Sequence, residues 1–379
     1  MQLAGREVPI VWNGRRTRAF VPTPLAARDL ELSARAIADA ARAGVDVVHA
    51  VEGLRAEYEP LARLLLRAEG VASSYIEGVR APVADVVVAE QLAVATNPAA
   101  AWVAANLAAL TDAVDCAHDR DLAFDDLCRW HRVLMTGSPL PERYVGVVRS
   151  EQGWIGGADP TSAALVTPPP EALGELLEDL VTYLGRTDVD PVAQAAIAHA
   201  QFETIHPFAD GNGRVGRVLV ASVLARRLSL VVPPPVSVAI AADTAGYFSG
   251  LTLFRLGDHN AWVCWMSQAV SRGGRAQQDL IAEVATIESR WRDQLSGRVR
   301  RNAVPWQVLG LLPRHLVLTT SLIEAELGVT NKAANAALGT LREAGILAVH
   351  GTPPRSTGRP PRIYVCPDLL ALVGSSPLR

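Results

Sequence analysis

The sequence predicts a mainly helical protein with a small β-hairpin flap, followed by a C-terminal winged helix-turn-helix domain. Between residues 26 and 294, apolar residues recur mostly at spacings of three and four, which is typical of helices packed on a core. Residues 144–167 differ, because short β-prone runs alternate there with glycines. After Arg301, a helical pattern over 304–312 and a helix–turn–helix pattern over 319–344 precede two strand-like runs, 345–347 and 362–365, which is the order of elements in a winged helix.

Composition excludes several classes of protein. The chain has 379 residues, of which 49% are apolar, and a formal net charge of −3, so it is not intrinsically disordered. With 36 basic and 39 acidic residues it is not a globally basic nucleic-acid binder. The longest apolar stretch, residues 218–232, is too short to span a bilayer, and the N-terminus lacks the apolar run of a secretory signal. We therefore expect a cytoplasmic protein that does not contact membranes.

The helical part divides at proline and glycine signals. Asn97-Pro98 should break one long helical run, and Pro170 and Pro191 should each open a helix. We expect helices over residues 26–68, 83–110, 124–135, 170–185, 191–205 and 213–228, and across most of 243–294.

Glycines and arginines meet just before the helix expected at residue 213. Gly211 and Gly213 flank Asn212, so several backbone N–H groups can point at one anion. Arg214 and Arg217 follow on the first turn, where each cation opposes the helix dipole by about 0.3–1 kcal/mol. A bound anion would offset that cost, and a polyphosphate fits.

Two titratable side chains precede this group of residues. Asp210 is a candidate Mg²⁺ ligand, because Mg²⁺ is usually held by one or two carboxylates together with phosphate oxygens. His206 titrates near neutrality and could accept a proton from an incoming hydroxyl. Each feature alone is more often a turn, a helix stop or a solvated face. Their joint occurrence favours a nucleotide site beside a general base.

The segment His206-Pro-Phe-Ala-Asp-Gly-Asn-Gly-Arg-Val-Gly-Arg217 resembles the signature of the Fic family, His-x-Phe-x-(Asp/Glu)-Gly-Asn-(Gly/Lys)-Arg-x-x-Arg, at every specified position. The resemblance implies an all-α Fic fold and transfer of AMP from ATP to a Tyr, Ser or Thr hydroxyl of a target protein, including this protein itself. It implies His206 as the general base, Asp210 as the Mg²⁺ ligand, and Phe208 as an anchor of the loop. It also implies that Gly211, Asn212 and Gly213 form an anion hole. Arg214 and Arg217 would contact the β- and γ-phosphates.

A second motif lies upstream. Ser73-Ser-Tyr-Ile-Glu77-Gly78 resembles the family's inhibitory motif, (Ser/Thr)-x-x-x-Glu-(Gly/Asn). Glu77 would pair with an arginine of the phosphate site, expected to be Arg217, and would take the place of the γ-phosphate. Ser73 lies four residues earlier on the same helical face and would help to hold that helix.

Two weaker matches concern the acceptor and the base of ATP. Gln152, Gly153, Trp154 and Ile155 resemble the family's flap, which would align a target segment by β-strand addition. The alternative is a structural hairpin with Trp154 in the core. Tyr247 falls where relatives place an aromatic side chain near adenine, and the alternative is an ordinary core tyrosine.

The expected domains are an N-terminal Fic extension with the inhibitory helix (1–110), a Fic catalytic domain (111–295) and a winged-helix domain (304–379). The recognition helix of the last would carry Asn331, Lys332, Asn335 and Thr340, and its wing Arg355, Arg359 and Arg362. These residues could contact DNA, whereas many winged helices instead contact proteins. The expected partners are therefore ATP, Mg²⁺, a protein substrate, and DNA or a second copy of the chain.

The expected function is thus a self-inhibited protein adenylyltransferase. Two alternatives stay open from the sequence. One is a DNA-binding transcriptional regulator whose Fic domain senses nucleotide. The other is an enzyme of the same fold that removes AMP from a modified protein.

Overall fold

The computed structural model of the protein describes residues 5–52, 59–94, 97–351 and 362–375. The chain begins with a β-hairpin, and long helices follow. The strands of this hairpin are β1 (Gly5–Trp12) and β2 (Arg15–Pro22), which pair antiparallel. The sequence analysis missed this pairing. Asn13 and Gly14 both have positive φ, as a tight two-residue hairpin turn requires, and Asn-Gly is the strongest local signal for such a turn.

Helices make up most of the region before residue 296. They are α1 (Ala34–Glu52), α2 (Glu59–Ile76), α3 (Val83–Leu92), α4 (Pro98–Asp119), α5 (Phe124–Met135), α6 (Leu173–Leu184), α7 (Pro191–Ile205), α8 (Asn212–Arg227), α9 (Val236–Ala242), α10 (Thr244–Arg255) and α11 (His259–Leu295). The flap lies between α5 and α6 and contains β3 (Trp154–Ile155) paired with β4 (Leu165–Val166). The mainly helical architecture with small sheets is therefore confirmed.

The first helix begins later than the sequence suggested. Residues 26–33 are not helical, and just before them the backbone N–H groups of Leu25 and Ala26 bind the Asp179 carboxylate of α6 at 2.6 and 3.0 Å. Of the residues that supported a helix over 26–68, Leu54 and Tyr58 lie outside the described residues. The boundary expected at residue 110 falls within α4, and the boundaries of all three expected domains stay predictions.

The C-terminal part combines helices with a small sheet. Its elements are α12 (Val304–Leu311), β5 (Val317–Leu318), α13 (Thr320–Leu327), α14 (Asn331–Glu343), β6 (Ala348–His350), β7 (Ile363–Val365) and α15 (Pro367–Ser375). The strands pair antiparallel in the order β5-β7-β6. Strand β6 begins just beyond the run expected at 345–347, and β5 and α15 were not predicted.

The hydrophobic core has two main parts. One surrounds α7 and α8 and contains Phe202, Phe208 and Leu219, so the two helices joined by residues 206–211 are buried at its centre. The other joins one face of α2 to the C-terminal elements and contains Leu64 and Leu338. The helix that contains Ser73 and ends just before Glu77 therefore packs directly on the C-terminal part.

Polar contacts reinforce this interface. The guanidinium of Arg67 on α2 is 1% exposed, donates to both carboxylate oxygens of Glu90 on α3 at 2.8 and 3.1 Å, and donates to the Arg314 carbonyl at 3.2 Å. His350 on β6 lies 2.9 Å from the Asp85 carboxylate on α3. No single helix in the described ranges is long and apolar enough to cross a membrane, although α9 and α10, bent by 100°, pass that test as a pair.

The Arg67 contact yields a stability prediction. Arg67→Ala should lower the free energy of unfolding by about 3 kcal/mol, because it leaves a partly buried carboxylate and a carbonyl without their partner. Urea unfolding followed by tryptophan fluorescence measures the change. The control is Arg35→Ala, whose side chain is 78% exposed in an ion pair on α1 and should change stability by less than about 0.5 kcal/mol. Equal effects of both variants would contradict the role of Arg67.

Candidate functional site

The site begins where α7 ends. His206 terminates this helix with φ 51° and ψ 61°, and its N–H binds the Phe202 carbonyl at 2.9 Å. Gly211 adopts φ 76° immediately before α8, and a Cβ there would lie 2.9 Å from the Met135 sulfur. This close approach explains the glycine at position 211 and fixes the turn that leads into α8.

Asn212 braces the loop between the two helices. Its Oδ1 accepts a hydrogen bond from the Phe208 N–H at 2.9 Å, and its Nδ2 donates to the Phe208 carbonyl at 2.8 Å. The side chain of Phe208 is 1% exposed, in agreement with the anchor that the resemblance implied. The carboxamide of Asn212 therefore serves the loop itself, which leaves its backbone N–H for the implied anion hole.

His131 on α5 also contacts this loop. The sequence analysis did not identify His131 as a site residue. Its ring stacks on Phe208 at 4.1 Å, with 7° between the planes. Its Nδ1 accepts the Gly146 N–H at 2.8 Å, so Nε2 carries the proton that is donated to the Asp210 carbonyl at 3.0 Å. Burial lowers the pKa of His131 to about 4, which keeps this neutral tautomer at pH 7. A single histidine within an amphipathic helix carries no local signal of this role.

His206 itself is largely buried and neutral. Burial, followed by the nearby Arg149 charge, lowers the pKa of His206 to about 4, while its side chain keeps 22% of its surface exposed. Nδ1 is buried without a hydrogen-bond partner among the described residues, and it lies 3.9 Å from the Glu203 carboxylate. An imidazole that is unprotonated at pH 7 and still reaches the surface can accept a proton from a substrate.

Arg217 meets both residues of the upstream motif. Its Nε donates to the Ser73 Oγ at 2.9 Å, and Nη2 donates to the Ser73 carbonyl and to the Glu77 Oε1, both at 2.8 Å. Burial alone would raise the pKa of Glu77, but the charge and hydrogen bond of Arg217, together with the Arg214 charge, outweigh burial and lower this pKa below its usual value. The expected pairing with Arg217 is therefore present in the structure. Ser73 binds this arginine directly, which is more than the expected support of the helix.

The Glu77 carboxylate lies at the N-terminal end of α8. A Cβ at Gly213 would come within 2.1 Å of the Glu77 Oε1 and 3.1 Å of the Arg217 Nη1, so only glycine leaves room for this carboxylate. Helix N-termini are natural anion sites, because their backbone N–H groups and dipole both favour negative charge. Glu77 thus occupies the place where the sequence predicts a phosphate.

Two arginine N–H groups in this region have no hydrogen-bond acceptor in the part of the chain that the structure describes. They are Arg214 Nε and Arg217 Nη1, which are both buried without an acceptor among the described residues. Arg214 is only 6% exposed and Arg217 only 2%. Buried guanidinium N–H groups without acceptors are costly unless a ligand satisfies them. These two donors therefore fit the polyphosphate that the sequence predicts.

Asp210 is exposed at the mouth of the loop. Its Oδ1 accepts the Gly211 N–H at 2.6 Å. Within the described ranges, no group of three or more His, Cys, Asp or Glu side chains is placed to hold a metal ion. A single carboxylate fits Mg²⁺ only when phosphate oxygens complete its coordination, so these residues would hold the ion together with a nucleotide.

Behind the site lies a buried polar group that the sequence analysis did not identify. Glu203 on α7 is 7% exposed, and burial together with the Glu77 charge raises its pKa to about 8. His199, one turn earlier, pairs with the Tyr247 hydroxyl at 2.8 Å. Tyr247 is only 1% exposed and makes the contacts of a core tyrosine, so its place beside adenine stays a prediction.

The flap is held together by hydrogen bonds between its two arms. Gln152 Nε2 donates to the Gly153 and Thr167 carbonyls at 2.9 and 2.6 Å, which ties the two arms of the flap together. Trp154 and Ile155 are half-buried, and Trp154 meets Trp12 of the N-terminal hairpin edge-on at 5.5 Å. Trp154 therefore packs on β1, and its role in target docking stays a prediction.

The Glu203 carboxyl predicts a pH effect on stability. Between pH of about 4.5 and about 8, the Glu203 carboxyl holds its proton in the folded protein but has released it in the unfolded chain. The free energy of unfolding therefore falls as pH rises through this range. Glu203→Gln removes this contribution. Relative to the variant, the wild-type protein should become less stable between pH 5 and pH 8 in urea unfolding. Glu178→Gln, an exposed position on α6, should keep the wild-type pH dependence.

If Glu203→Gln instead follows the wild-type curve over that range, the buried carboxyl is ionised in the folded protein, and the interpretation is wrong.

The geometry defines a helical domain with an anion site at a helix N-terminus beside a buried histidine. Residues 121–224 match the family described as the Fic/DOC family. The match contains the flap, His206 and Arg217, whereas Glu77 and Tyr247 lie outside it.

Curated relatives match part of the chain. Protein adenylyltransferase fic-1 of Caenorhabditis elegans is 32% identical over 155 residues, which are 40% of this chain and 27% of that protein. Protein adenylyltransferase Fic of Drosophila melanogaster is 30% identical over 156 residues, 40% of this chain and 29% of the relative. A probable protein adenylyltransferase of Aquifex aeolicus is 45% identical over 58 residues, 15% of this chain and 18% of the relative. The chain thus spans under a third of each relative's length.

Solved structures share the fold. A Fic family protein from Desulfovibrio desulfuricans aligns with a TM-score of 0.56 at 23% identity, covering 89% of this chain and 97% of that chain. A Fic domain containing signaling protein from Bacteroides thetaiotaomicron aligns with a TM-score of 0.52 at 18% identity, covering 64% of this chain and 96% of that chain.

Proposed function

We propose that this protein is a self-inhibited protein adenylyltransferase, which transfers AMP from ATP to a hydroxyl side chain of a target protein. The observation that carries the proposal is the Glu77–Arg217 ion pair at the N-terminus of α8, beside the neutral imidazole of His206. In this arrangement a carboxylate of the same chain occupies the arginine that would bind phosphate. That is what we expect of a nucleotide-dependent enzyme in an inhibited state. The names of the curated relatives support the reaction class.

The reaction requires positioning and charge neutralisation rather than a nucleophile of the enzyme. The target hydroxyl oxygen attacks the α-phosphorus of ATP while its proton passes to His206. The bond from the α-phosphorus to the bridging oxygen breaks, and pyrophosphate leaves with that oxygen. Arg214 and Arg217, together with the N–H groups that begin α8, offset the negative charge on the leaving group.

Asp210 would hold Mg²⁺ together with phosphate oxygens of ATP. The bound ion would neutralise phosphate charge and orient the leaving group. The exposed position of Asp210 and the lack of a complete set of protein ligands in the described residues agree with a metal that arrives with its nucleotide.

Inhibition follows from competition for Arg217. A γ-phosphate and the Glu77 carboxylate need the same guanidinium, and both are favoured by the N-terminus of α8. Because a hydrogen bond to a charged group contributes about 1.5–3 kcal/mol, removal of Glu77 should shift productive ATP binding by roughly tenfold or more.

Glu77→Gly should raise transfer of label from [α-³²P]ATP to proteins of a cell lysate by about tenfold or more, because Arg217 becomes free for the γ-phosphate. Adding His206→Ala to this variant should abolish the transfer. Ser73→Ala is the matched control, since it removes one hydrogen bond to Arg217 but leaves the Glu77 carboxylate in place, and it should activate far less. Label in the gel band is the readout.

Three outcomes of this experiment would count against the proposal. Equal transfer by wild type and Glu77→Gly would reject inhibition by Glu77. Transfer from [γ-³²P]ATP instead would indicate a kinase-like orientation of the donor. Loss of label from a pre-labelled protein on adding the wild-type chain would favour the alternative of AMP removal.

We also propose that residues 304–379 form a winged helix that binds DNA. The observation that favours it is the exposed face of α14, where Asn331, Lys332 and Asn335 are all accessible. Thr340 is half-buried, and its hydroxyl donates to the Ala336 carbonyl, so it contributes less to this face than the sequence suggests. Arg362 is exposed beside β7, whereas Arg355 and Arg359 lie outside the described residues.

Point variants test DNA binding better than deletion, because α2 shares its core with this part of the chain. Lys332→Ala/Arg362→Ala should weaken binding of the full chain to a fluorescent DNA duplex. It should also reduce the slope of log K against log salt by about 0.9 for each lost phosphate contact. Arg35→Ala on α1 should leave the fluorescence anisotropy titration unchanged. Failure of the wild-type chain to bind at 50 mM salt would favour a protein contact instead.

A further inference from the structure

We propose that Arg149 is a positioning residue that joins the flap to His206, so that an acceptor segment and the general base are held in one rigid frame. This inference rests on the proposed function for its catalytic consequence, whereas the mechanical connection stands on the contacts alone. Arg149 lies between α5 and β3, is 5% exposed, and belongs to none of the groups assigned above to ATP, Mg²⁺ or inhibition.

The side chain contacts the catalytic loop and both arms of the flap. Its Nε donates to the His206 carbonyl at 2.8 Å. Nη1 donates to the Glu151 carbonyl at 2.8 Å, on the arm that leads into the flap. Nη2 donates to the Thr167 Oγ1 at 2.9 Å and to the Pro168 carbonyl at 2.7 Å, on the arm that leaves it. One planar group therefore fixes three segments of chain relative to one another.

The backbone of Arg149 adds to this connection. Its N–H donates to the Pro207 carbonyl at 2.9 Å, one residue beyond the histidine. His206 has φ 51°, a left-handed conformation that costs a residue with a side chain about 1 kcal/mol or more and persists only where neighbours hold it. Arg149 binds the backbone on both sides of this position, because Nη2 also lies 3.4 Å from the Ile205 carbonyl.

The chemistry of the site calls for arginine. Every hydrogen-bond acceptor named above is a neutral carbonyl or hydroxyl, so the buried charge has no carboxylate among them to offset its desolvation. Burial lowers the pKa of Arg149 to about 10, which leaves it protonated at pH 7. A buried cation of this kind is expensive. The planar guanidinium of arginine has five N–H donors and can bind acceptors on three segments of chain at once. The compact ammonium group of lysine cannot do so.

The flap is shaped around this guanidinium. A Cβ at Gly153 would lie 2.8 Å from the Arg149 Nε and 2.8 Å from the Thr167 Oγ1. Gly153 has no positive φ in this structure, so its small size, rather than backbone freedom, is what the position requires. The strand that would receive an acceptor segment therefore rests directly on the group that holds His206.

The first test measures the connection without any reaction. In hydrogen–deuterium exchange of the full chain, Arg149→Lys should raise exchange of peptides covering 150–168 and 202–212 together, while α1 and α14 stay unchanged. Gly153→Ala, which keeps the arginine but puts a methyl group in its path, should give the same paired change. Arg143→Lys is the matched control, since it makes the same substitution at an exposed position of the same segment and should change neither peptide. Change in one peptide alone, or in neither, overturns the proposal.

The second test measures the catalytic consequence in the Glu77→Gly background with [α-³²P]ATP and lysate proteins. Arg149→Lys should lower transfer by roughly tenfold or more, while the Kd for a fluorescent ATP analogue changes less than about twofold. Addition of guanidinium ion to Arg149→Ala should restore part of the transfer, and it should not do so for His206→Ala.

The two tests separate the two proposals. Absence of transfer by Glu77→Gly itself would reject the proposed function, and the exchange experiment would still decide the role of Arg149. Loss of ATP binding in parallel with transfer would show a general structural defect and would reject positioning.

Discussion

The buried guanidinium of Arg217 is the group on which the candidate site depends. It lies on the second turn of α8, is nearly inaccessible to water, and binds the Glu77 carboxylate beside Gly213 at the N-terminus of this helix, where the helix dipole favours an anion. A buried cation in such a place needs an anionic partner or several dipoles. In this structure Glu77 and Ser73 meet that need, and in the proposed reaction a phosphate would replace Glu77. The proposed inhibition and the proposed nucleotide binding would thus be two solutions to one electrostatic requirement.

The position of Glu77 depends on the packing of α2 as a whole. Gly70 allows α2 to approach Leu107 on α4, where a Cβ would come within 2.2 Å of the leucine. The carboxyl of Glu69 accepts hydrogen bonds from Ser237 at the start of α9, and Arg67 faces α3 and the C-terminal part. Glu77 follows the last residue of α2 and precedes Gly78, which has φ 77°. Glu77 could leave Arg217 in two ways: by a backbone rotation after Ile76, or by a shift of the whole helix α2. The rotation would disturb fewer buried contacts.

The loop that carries His206 is held mainly by neutral hydrogen bonds. Asn212 binds both backbone groups of Phe208, and His131 binds the Asp210 carbonyl. Arg149 binds the His206 carbonyl from the opposite side. Because these groups are buried and have few alternative partners, the loop has little freedom to relax. A rigid loop of this kind keeps the imidazole in one orientation relative to the N-terminus of α8, which is what proton transfer during a phosphoryl reaction requires.

The sequence by itself determined the features that depend on neighbours along the chain. These include the bounds of α5 and α7, the break at Asn97-Pro98 and the glycine turn before α8. The resemblance of residues 206–217 and 73–78 to two family motifs also predicted the pairing of Glu77 with Arg217, which the structure contains. The Asn13-Gly14 turn was equally local, so the N-terminal hairpin was readable although it was missed.

Only the tertiary structure decided the contacts made across long stretches of chain. Ser73 and Arg217 are 144 residues apart, and Arg67 meets Arg314 across 247 residues. His131, Arg149 and Glu203 have no local pattern that distinguishes them from ordinary helix or loop residues. Their roles arise because helices from distant parts of the sequence pack into one core and remove water from these polar groups. Each buried polar group then needs a hydrogen-bond partner from the elements packed around it. The periodicity of the sequence does not indicate which residue that partner is.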